Sequence, residues 1–169
     1  MISKIKHFIY LLIPGPLRVP VKFYYEKWRF GHESEMQLLP YLVSKGEVAV
    51  DVGANFGIYS FWLYRLGAKV LAFEPHPLCC QFLLPWVLTH TGVTLCCEAI
   101  SAEDGVGCLE TPIDETEVVH YAASSLESRG WESRNEVVVR RLDSYSIPEI
   151  AFIDQSCPQY LGKADQEGL

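Results

Sequence analysis

The chain lacks the features that would place it in a membrane, on a nucleic acid or around a metal. The apolar run at residues 8–13 falls far short of the ~20 residues that a membrane span requires. It ends at Pro14-Gly15-Pro16-Leu17-Arg18, a poor cleavage site, so no signal peptide is expected. A positive excess is also missing. The net charge of -7 argues against a general nucleic-acid binder, because affinity for phosphate backbones rests on basic neutralisation. There is no C-x-x-C pair and no Cys/His ligand spacing. Cys79-Cys80 and Cys96-Cys97 are adjacent pairs, Cys108 and Cys157 stand alone, and the histidines are scattered. No metal is implied, and reduced, packed thiols in a cytoplasmic setting are the expectation.

What is present suits one domain. An apolar content of 49% over 169 residues supplies material for a real core. Residues 1–30 carry +5, which leaves -12 of the total of -7 for the remainder. We therefore separate a basic, apolar and aromatic extension, residues 1–34, from a domain at 35–153 and a polar tail at 154–169. The extension is either an amphipathic segment resting on the domain or a peripheral contact with a membrane surface. Its aromatic residues Tyr24, Tyr25, Trp28 and Phe30 are expected to pack a peripheral helix onto the core.

The stretch 47–75 organises the rest. Val48 to Val50 and Val70 to Phe73 are short, β-branched apolar runs, the pattern of parallel strands buried on both faces, and both should be central strands. Between them residues 56–66 are apolar almost all round, and Gly67 stands where a helix C′ residue belongs. The loop Asp51-Val52-Gly53-Ala54-Asn55-Phe56-Gly57 has small or left-handed-tolerant residues at 53, 55 and 57. The backbone can turn sharply there and offer its amides to a ligand. Glu74 ends the second strand, 23 residues after Asp51, where a carboxylate can accept both hydroxyls of a ribose. Each such charge-assisted hydrogen bond contributes about 1.5 to 3 kcal/mol.

Two cofactor classes use this strand, loop, helix, strand layout. A dinucleotide fingerprint requires G-x-G-x-x-G, and from Gly53 the next two glycine places hold Asn55 and Ile58. S-adenosylmethionine has no pyrophosphate to cradle. Its loop reads acid-x-Gly-x-Gly-x-Gly, which Asp51, Gly53, Asn55 and Gly57 match with asparagine for the middle glycine.

The segments Asp51-Val52-Gly53-Ala54-Asn55-Phe56-Gly57-Ile58-Tyr59-Ser60 and Phe73-Glu74-Pro75-His76-Pro77 together resemble the FkbM-type S-adenosylmethionine-dependent methyltransferases. The resemblance covers about residues 35–153, with weaker echoes at Ala99-Ile100-Ser101, Ala123-Ser124-Ser125-Leu126 and Arg141-Leu142-Asp143-Ser144-Tyr145. It implies an α/β, Rossmann-like fold, S-adenosyl-L-methionine as cofactor, and methylation of oxygen on a sugar, glycan or other small hydroxylated substrate. The candidate cofactor site is Asp51, Gly53, Ala54, Asn55, Gly57, Glu74, Pro75 and Ser101, with the adenine placed near Ile100 and Ser101.

Further along, a helix is expected over 35–45, with Ser34 as N-cap, Met36, Leu39, Leu42 and Val43 on one face, and Pro40 either kinking it or starting a new turn. A helix over 78–90 should be interrupted at Pro85. A third strand should run from 93 to 100, with 106–111 pairing back on it as a hairpin. Residues 111–135 form a lid, a substrate wall or a disordered loop. Strands at 136–142 and 150–153 complete the list. The catalytic residue is not assigned. His120, Tyr121 and Asp143 are proton acceptors by residue type alone.

The family pattern breaks after residue 153. Where such enzymes continue into a Lys-Ile-Asp-Val-Glu-Gly-like segment, this chain has Asp154-Gln155-Ser156-Cys157-Pro158. Ser156 takes the place of the glutamate, and the aspartate's role is not carried to Asp154. The doubly wound sheet is therefore expected to be incomplete, lacking its C-terminal strands, with residues 154–169 disordered or loosely packed and the open edge prone to self-association. Three functions stand: a methyltransferase, a non-catalytic relative that binds the cofactor weakly or not at all, and a nucleotide-dependent oxidoreductase, disfavoured by Asn55 and Ile58.

Overall fold

The computed structural model describes residues 12–31, 35–113, 120–131, 133–147 and 149–154. It is an α/β structure built on a four-stranded, wholly parallel sheet in the order β3-β2-β1-β7. The strands are β1 (Val48–Val52), β2 (Lys69–Phe73), β3 (Val93–Cys96) and β7 (Ile150–Asp154). A second sheet, β4-β6-β5, comprises β4 (Ala99–Ile100), β5 (Gly105–Thr111) and β6 (Ser133–Arg140).

Side chains alternate between the two faces of a strand. Ala49, Val70, Ala72 and Val93 therefore join one core, while Val50, Val52, Leu71 and Phe73 join another. Both sets are apolar, which is why residues 48–50 of β1 and 70–73 of β2 read as unbroken apolar runs. Both are central, as their sequence indicates.

The first core lies under three helices: α1 (Arg18–Phe30), α3 (Ile58–Leu66) and α4 (Pro77–Val87). The last two are numbered around a one-turn helix, α2 (Leu39–Leu42). α3 is sandwiched between α1 and the strands, and its C-cap Gly67 sits at φ +93° with its amide on the Leu63 and Tyr64 carbonyls. α1 contributes Val19 and Phe23, four residues apart on one face and both buried. Phe23 stacks on Trp62 at 5.6 Å. Burying a side chain of that size is worth about 1.5–3 kcal/mol. The aromatics expected to make this contact do not make most of it, since Trp28 and Phe30 are 80% and 73% exposed.

Several local expectations are corrected. The helix over 35–45 is a 3₁₀ turn, Glu35–Gln37, followed by α2. Pro40 starts the new turn because its ring cannot continue the old one. Met36, Leu39 and Val43 are buried, but Leu42 faces solvent. Ser34 lies outside the described residues, as do residues 1–11 of the extension. Pro85 does not interrupt α4. It falls in the last turn, where its missing amide forfeits a bond to the exposed Gln81, and it packs near the turn Gly15–Leu17.

The strand expected over 93–100 is split. β3 ends at Cys96 and β4 joins the second sheet, where β6 pairs parallel with it. β5 consequently does not fold back on β4. It pairs antiparallel with β6, a strand from later in the chain, which lies between them. β6 starts at Ser133 and ends at Arg140, ahead of a 3₁₀ turn at Leu142–Ser144. β7 is the outer strand beside β1 and includes Asp154, so the tail's first residue is structured; residues 155–169 lie outside the described residues. No described helix is long and apolar enough to cross a membrane.

Candidate functional site

β1, β2 and β3 step successively to one side, and β7 joins the other side of β1, so the strand order reverses between β1 and β7. In open parallel sheets the carboxyl ends beside such a reversal form a ligand crevice. Asp51, Glu74 and the loop between β1 and α3 lie there.

The loop takes the conformation its residues permit. Gly53, Asn55 and Gly57 all have positive φ, at +85°, +50° and +80°. Its amides are engaged within the chain. Those of Gly53 and Ala54 donate to the Phe73 carbonyl at 2.9 and 3.0 Å, and that of Gly57 donates to the Ala54 carbonyl at 2.7 Å. The Asn55 amide donates to Glu74 Oε2 at 2.6 Å. The sequence suggested ligand donors at these positions; the structure uses them to lock the loop onto the end of β2.

Glu74 is the hub. Its other oxygen, Oε1, accepts from the His76 amide at 2.7 Å, and the residue is 1% exposed. Its backbone is held by its amide on the Cys96 carbonyl and by the Cys80 thiol on its own carbonyl at 2.9 Å. Burial pushes the carboxyl up to about 7 against the pull of the two amides. Pro75 and Pro77 flank His76, whose Nδ1 accepts the Leu78 amide and caps α4, with Pro77 in its first turn. Burial lowers the His76 pKa, in keeping with a neutral ring that accepts at Nδ1. Cys79 Sγ stands 3.5 Å from Asn55 Oδ1 and steadies the left-handed asparagine.

Asp51 is fully buried. Ser60, in the first turn of α3, donates to its Oδ2, while Oδ1 has no hydrogen-bond partner. Asp154 is its register partner on β7. Burial, then the Asp154 charge and more weakly that of Glu74, push Asp51 up to about 7 against the Ser60 bond. Asp154 is thus part of this constellation, which sequence reasoning missed. The apolar run before it showed a strand, but not that its last residue would stand opposite Asp51.

Tyr121 arrives from the second sheet. Its ring lies edge-on to His76 at 4.8 Å and to Phe56 at 5.4 Å, and Lys22 Nζ stands 5.0 Å from the Phe56 ring centre. Part of the stretch 111–135 therefore packs against the loop between β1 and α3. The remaining candidates are placed elsewhere. Ser101 is tied by its amide to the Arg140 carbonyl in the second sheet, and Ile100 packs with Val52 and Phe73. Asp143 is a surface residue 3.4 Å from Arg141, and the His120 amide bonds the Pro112 carbonyl.

Among the described residues Cys79, Cys80, Cys96, Cys97 and Cys108 form no disulfide, and no three His, Cys, Asp or Glu side chains converge to hold a metal ion. A cavity of about 560 Å³ lies at the opposite, amino ends of the strands, lined by Val48, Leu71, Thr94 and Tyr145, and takes no part in this site. Compared with models of known protein families, with curated proteins and with solved structures, the chain matches none.

Proposed function

We propose that the chain is a Rossmann-like, S-adenosyl-L-methionine-dependent methyltransferase acting on oxygen of a sugar or other small hydroxylated molecule. One observation carries the reading: a carboxylate at the end of β2 is held against a left-handed glycine loop at the end of β1, beside the reversal of strand order. Glu74 uses one lone pair of each oxygen on its two amides, so a second pair on each remains for the two ribose hydroxyls. Asp51 Oδ1, buried without a partner, suits a donor on the ligand. In this reading Gly53, Ala54, Asn55, Gly57 and Pro75 shape the pocket, while Ser101, tied into the second sheet, is not used.

The chemistry asks little covalent work of the protein. The sulfonium methyl is already activated. The chain must hold a hydroxyl in line with the methyl carbon and accept its proton. Tyr121 packs against the loop, but burial raises its pKa, which keeps the phenol protonated, and the acceptor stays unassigned.

A second reading, a non-catalytic relative that binds the cofactor weakly or not at all, is favoured by the burial of Glu74 and by the position of Asp143 away from the loop. Calorimetry with S-adenosylmethionine and with NAD separates the classes. Heat with the first alone supports the proposal, heat with NAD alone supports an oxidoreductase, and silence with both removes the cofactor assignment. Radiolabelled methyl transfer to a panel of hydroxylated sugars then distinguishes enzyme from binder.

A further inference from the structure

Glu74 is almost fully enclosed, yet the proposed ligand must reach its carboxylate. The two amides that bind it belong to Asn55 and His76. Tyr121 packs its ring edge against His76 itself and against Phe56, the neighbour of Asn55. One ring therefore spans both stretches that clasp the carboxylate.

The backbone beneath that ring is anchored. Ser124 Oγ donates to the Tyr121 carbonyl at 2.8 Å and lies 2.8 Å from Thr111 Oγ1 at the end of β5. Ser125 and Glu110 exchange backbone hydrogen bonds at 2.8 Å in each direction. The 3₁₀ turn at Tyr121–Ala123 is thus fastened to the second sheet. Among the described residues the ring packs on His76 and Phe56 with the Cys79 thiol nearby, and it is only half-buried, so a change of its side-chain torsion would carry it off these neighbours without moving the turn.

We propose that Tyr121 is the gate of this site: its ring closes over the Glu74 carboxylate, and a ribose reaches that carboxylate when the ring swings out. The inference rests on the cofactor reading for the identity of the ligand, but the closure itself is a property of the chain. Tyr121 is accordingly a positioning residue for access.

The gate is tested without ligand by amidating the folded protein with a water-soluble carbodiimide and glycine ethyl ester and mapping the products by mass spectrometry. Tyr121→Ala is expected to raise the labelling rate of Glu74 at least tenfold. Tyr121→Phe should label like the parent, because ring edges and not the hydroxyl make the contacts. Glu110, 3% exposed and held in the second sheet, is the internal control for an intact fold. If Glu110 also labels in the alanine variant, the comparison is read on Tyr121→Leu, which keeps apolar volume without a flat ring. Glu74 labelling at the parent rate in whichever of these variants is folded overturns the gate. Calorimetry with S-adenosylmethionine gives the second arm: Tyr121→Ala should bind several-fold more tightly, and weaker binding overturns the gate in favour of a ligand-contacting wall. Binding by neither parent nor variant removes the cofactor reading, while the labelling result still decides the closure.

Discussion

Asp51 and Asp154 stand opposite one another in the register of β1 and β7, and the nearer carboxylate is fully buried with one oxygen unpartnered. A carboxyl raised from its ordinary 3.8 to about 7 in the folded chain has a definite pH consequence. Between those values the folded chain keeps a proton that the unfolded chain has released. Stability therefore falls as pH rises through that window, and the penalty is complete above the folded value. At about 1.4 kcal/mol per unit it amounts to roughly 4 kcal/mol. Asp51→Asn keeps an acceptor for Ser60 and removes the charge. It should be more stable than the parent at pH 8, with the gap narrowing towards pH 4. Urea melts of both proteins across this range check the slope; a gap that does not widen with pH refutes the account.

Glu74 holds the loop as well as facing the proposed ligand. Glu74→Ala leaves the Asn55 and His76 amides without their acceptor, at about 1–3 kcal/mol each for a buried unsatisfied group. Denaturation at pH 5, where the buried side chain of the parent is uncharged, should show a loss of roughly 2–5 kcal/mol for Glu74→Ala, allowing for partial access of water, and a smaller loss for Glu74→Gln, which keeps one carbonyl oxygen. An alanine variant as stable as the parent would show that the carboxylate does not fasten the loop.

That double duty marks the limit of what the sequence conveys. β1, β2, the glycine loop and the Gly67 cap are legible because each rests on local chemistry: β-branched runs, left-handed φ at 53, 55 and 57, and a helix stop. The sequence places Glu74 at a strand end by its distance from Asp51, but its grip on the Asn55 amide is not legible, because the loop's close approach to β2 is a tertiary fact. The break between β3 and β4 falls at Cys97-Glu98, where a single glutamate is too weak a signal to show that the strand changes sheets. The insertion of β6 between β4 and β5 depends on pairing between distant segments, for which no local residue signal exists. Tyr121 against His76 is invisible for the same reason, although both residues are conspicuous on their own.

Gly57 tests the packing of the loop against the helices. Its φ is +80°, and a Cβ there would lie 2.5 Å from Leu83 Cδ2 and 3.3 Å from Val19 Cγ1. Left-handed strain of about 1–2 kcal/mol and overpacking of about 1–3 kcal/mol should combine in Gly57→Ala. Because Leu83 is the main obstacle, Gly57→Ala with Leu83→Val should lose less stability than the two single changes added together. Strict additivity in a double-mutant cycle would place the cost in the backbone alone.

β7 sets the last expectation. Among the described strands it has a neighbour on one side only, and it carries neither proline nor lysine, two of the devices that keep natural sheet edges from pairing with other chains. Ile153 is 48% exposed, and Ala151 is exposed beside it. An apolar edge of this kind offers unpaired backbone donors and acceptors together with a surface that gains from leaving water. Its final residue, Asp154, stands opposite Asp51, so chains meeting along β7 would bring further carboxylates towards an already crowded end. Association should therefore weaken as pH rises from 5 to 8 and the Asp51 carboxyls beside that edge ionise. The parent chain is expected to sediment with a concentration-dependent coefficient at pH 5, less so at pH 8, and Ile153→Lys should move it towards the monomer at both. The lysine acts on the edge by charge and by desolvation cost, not on the core, because Ile153 is half exposed; its melt should stay close to the parent's. A parent that sediments as a monomer at every concentration would mean that the edge is covered, and Ile153→Lys would then destabilise the fold instead of dispersing it.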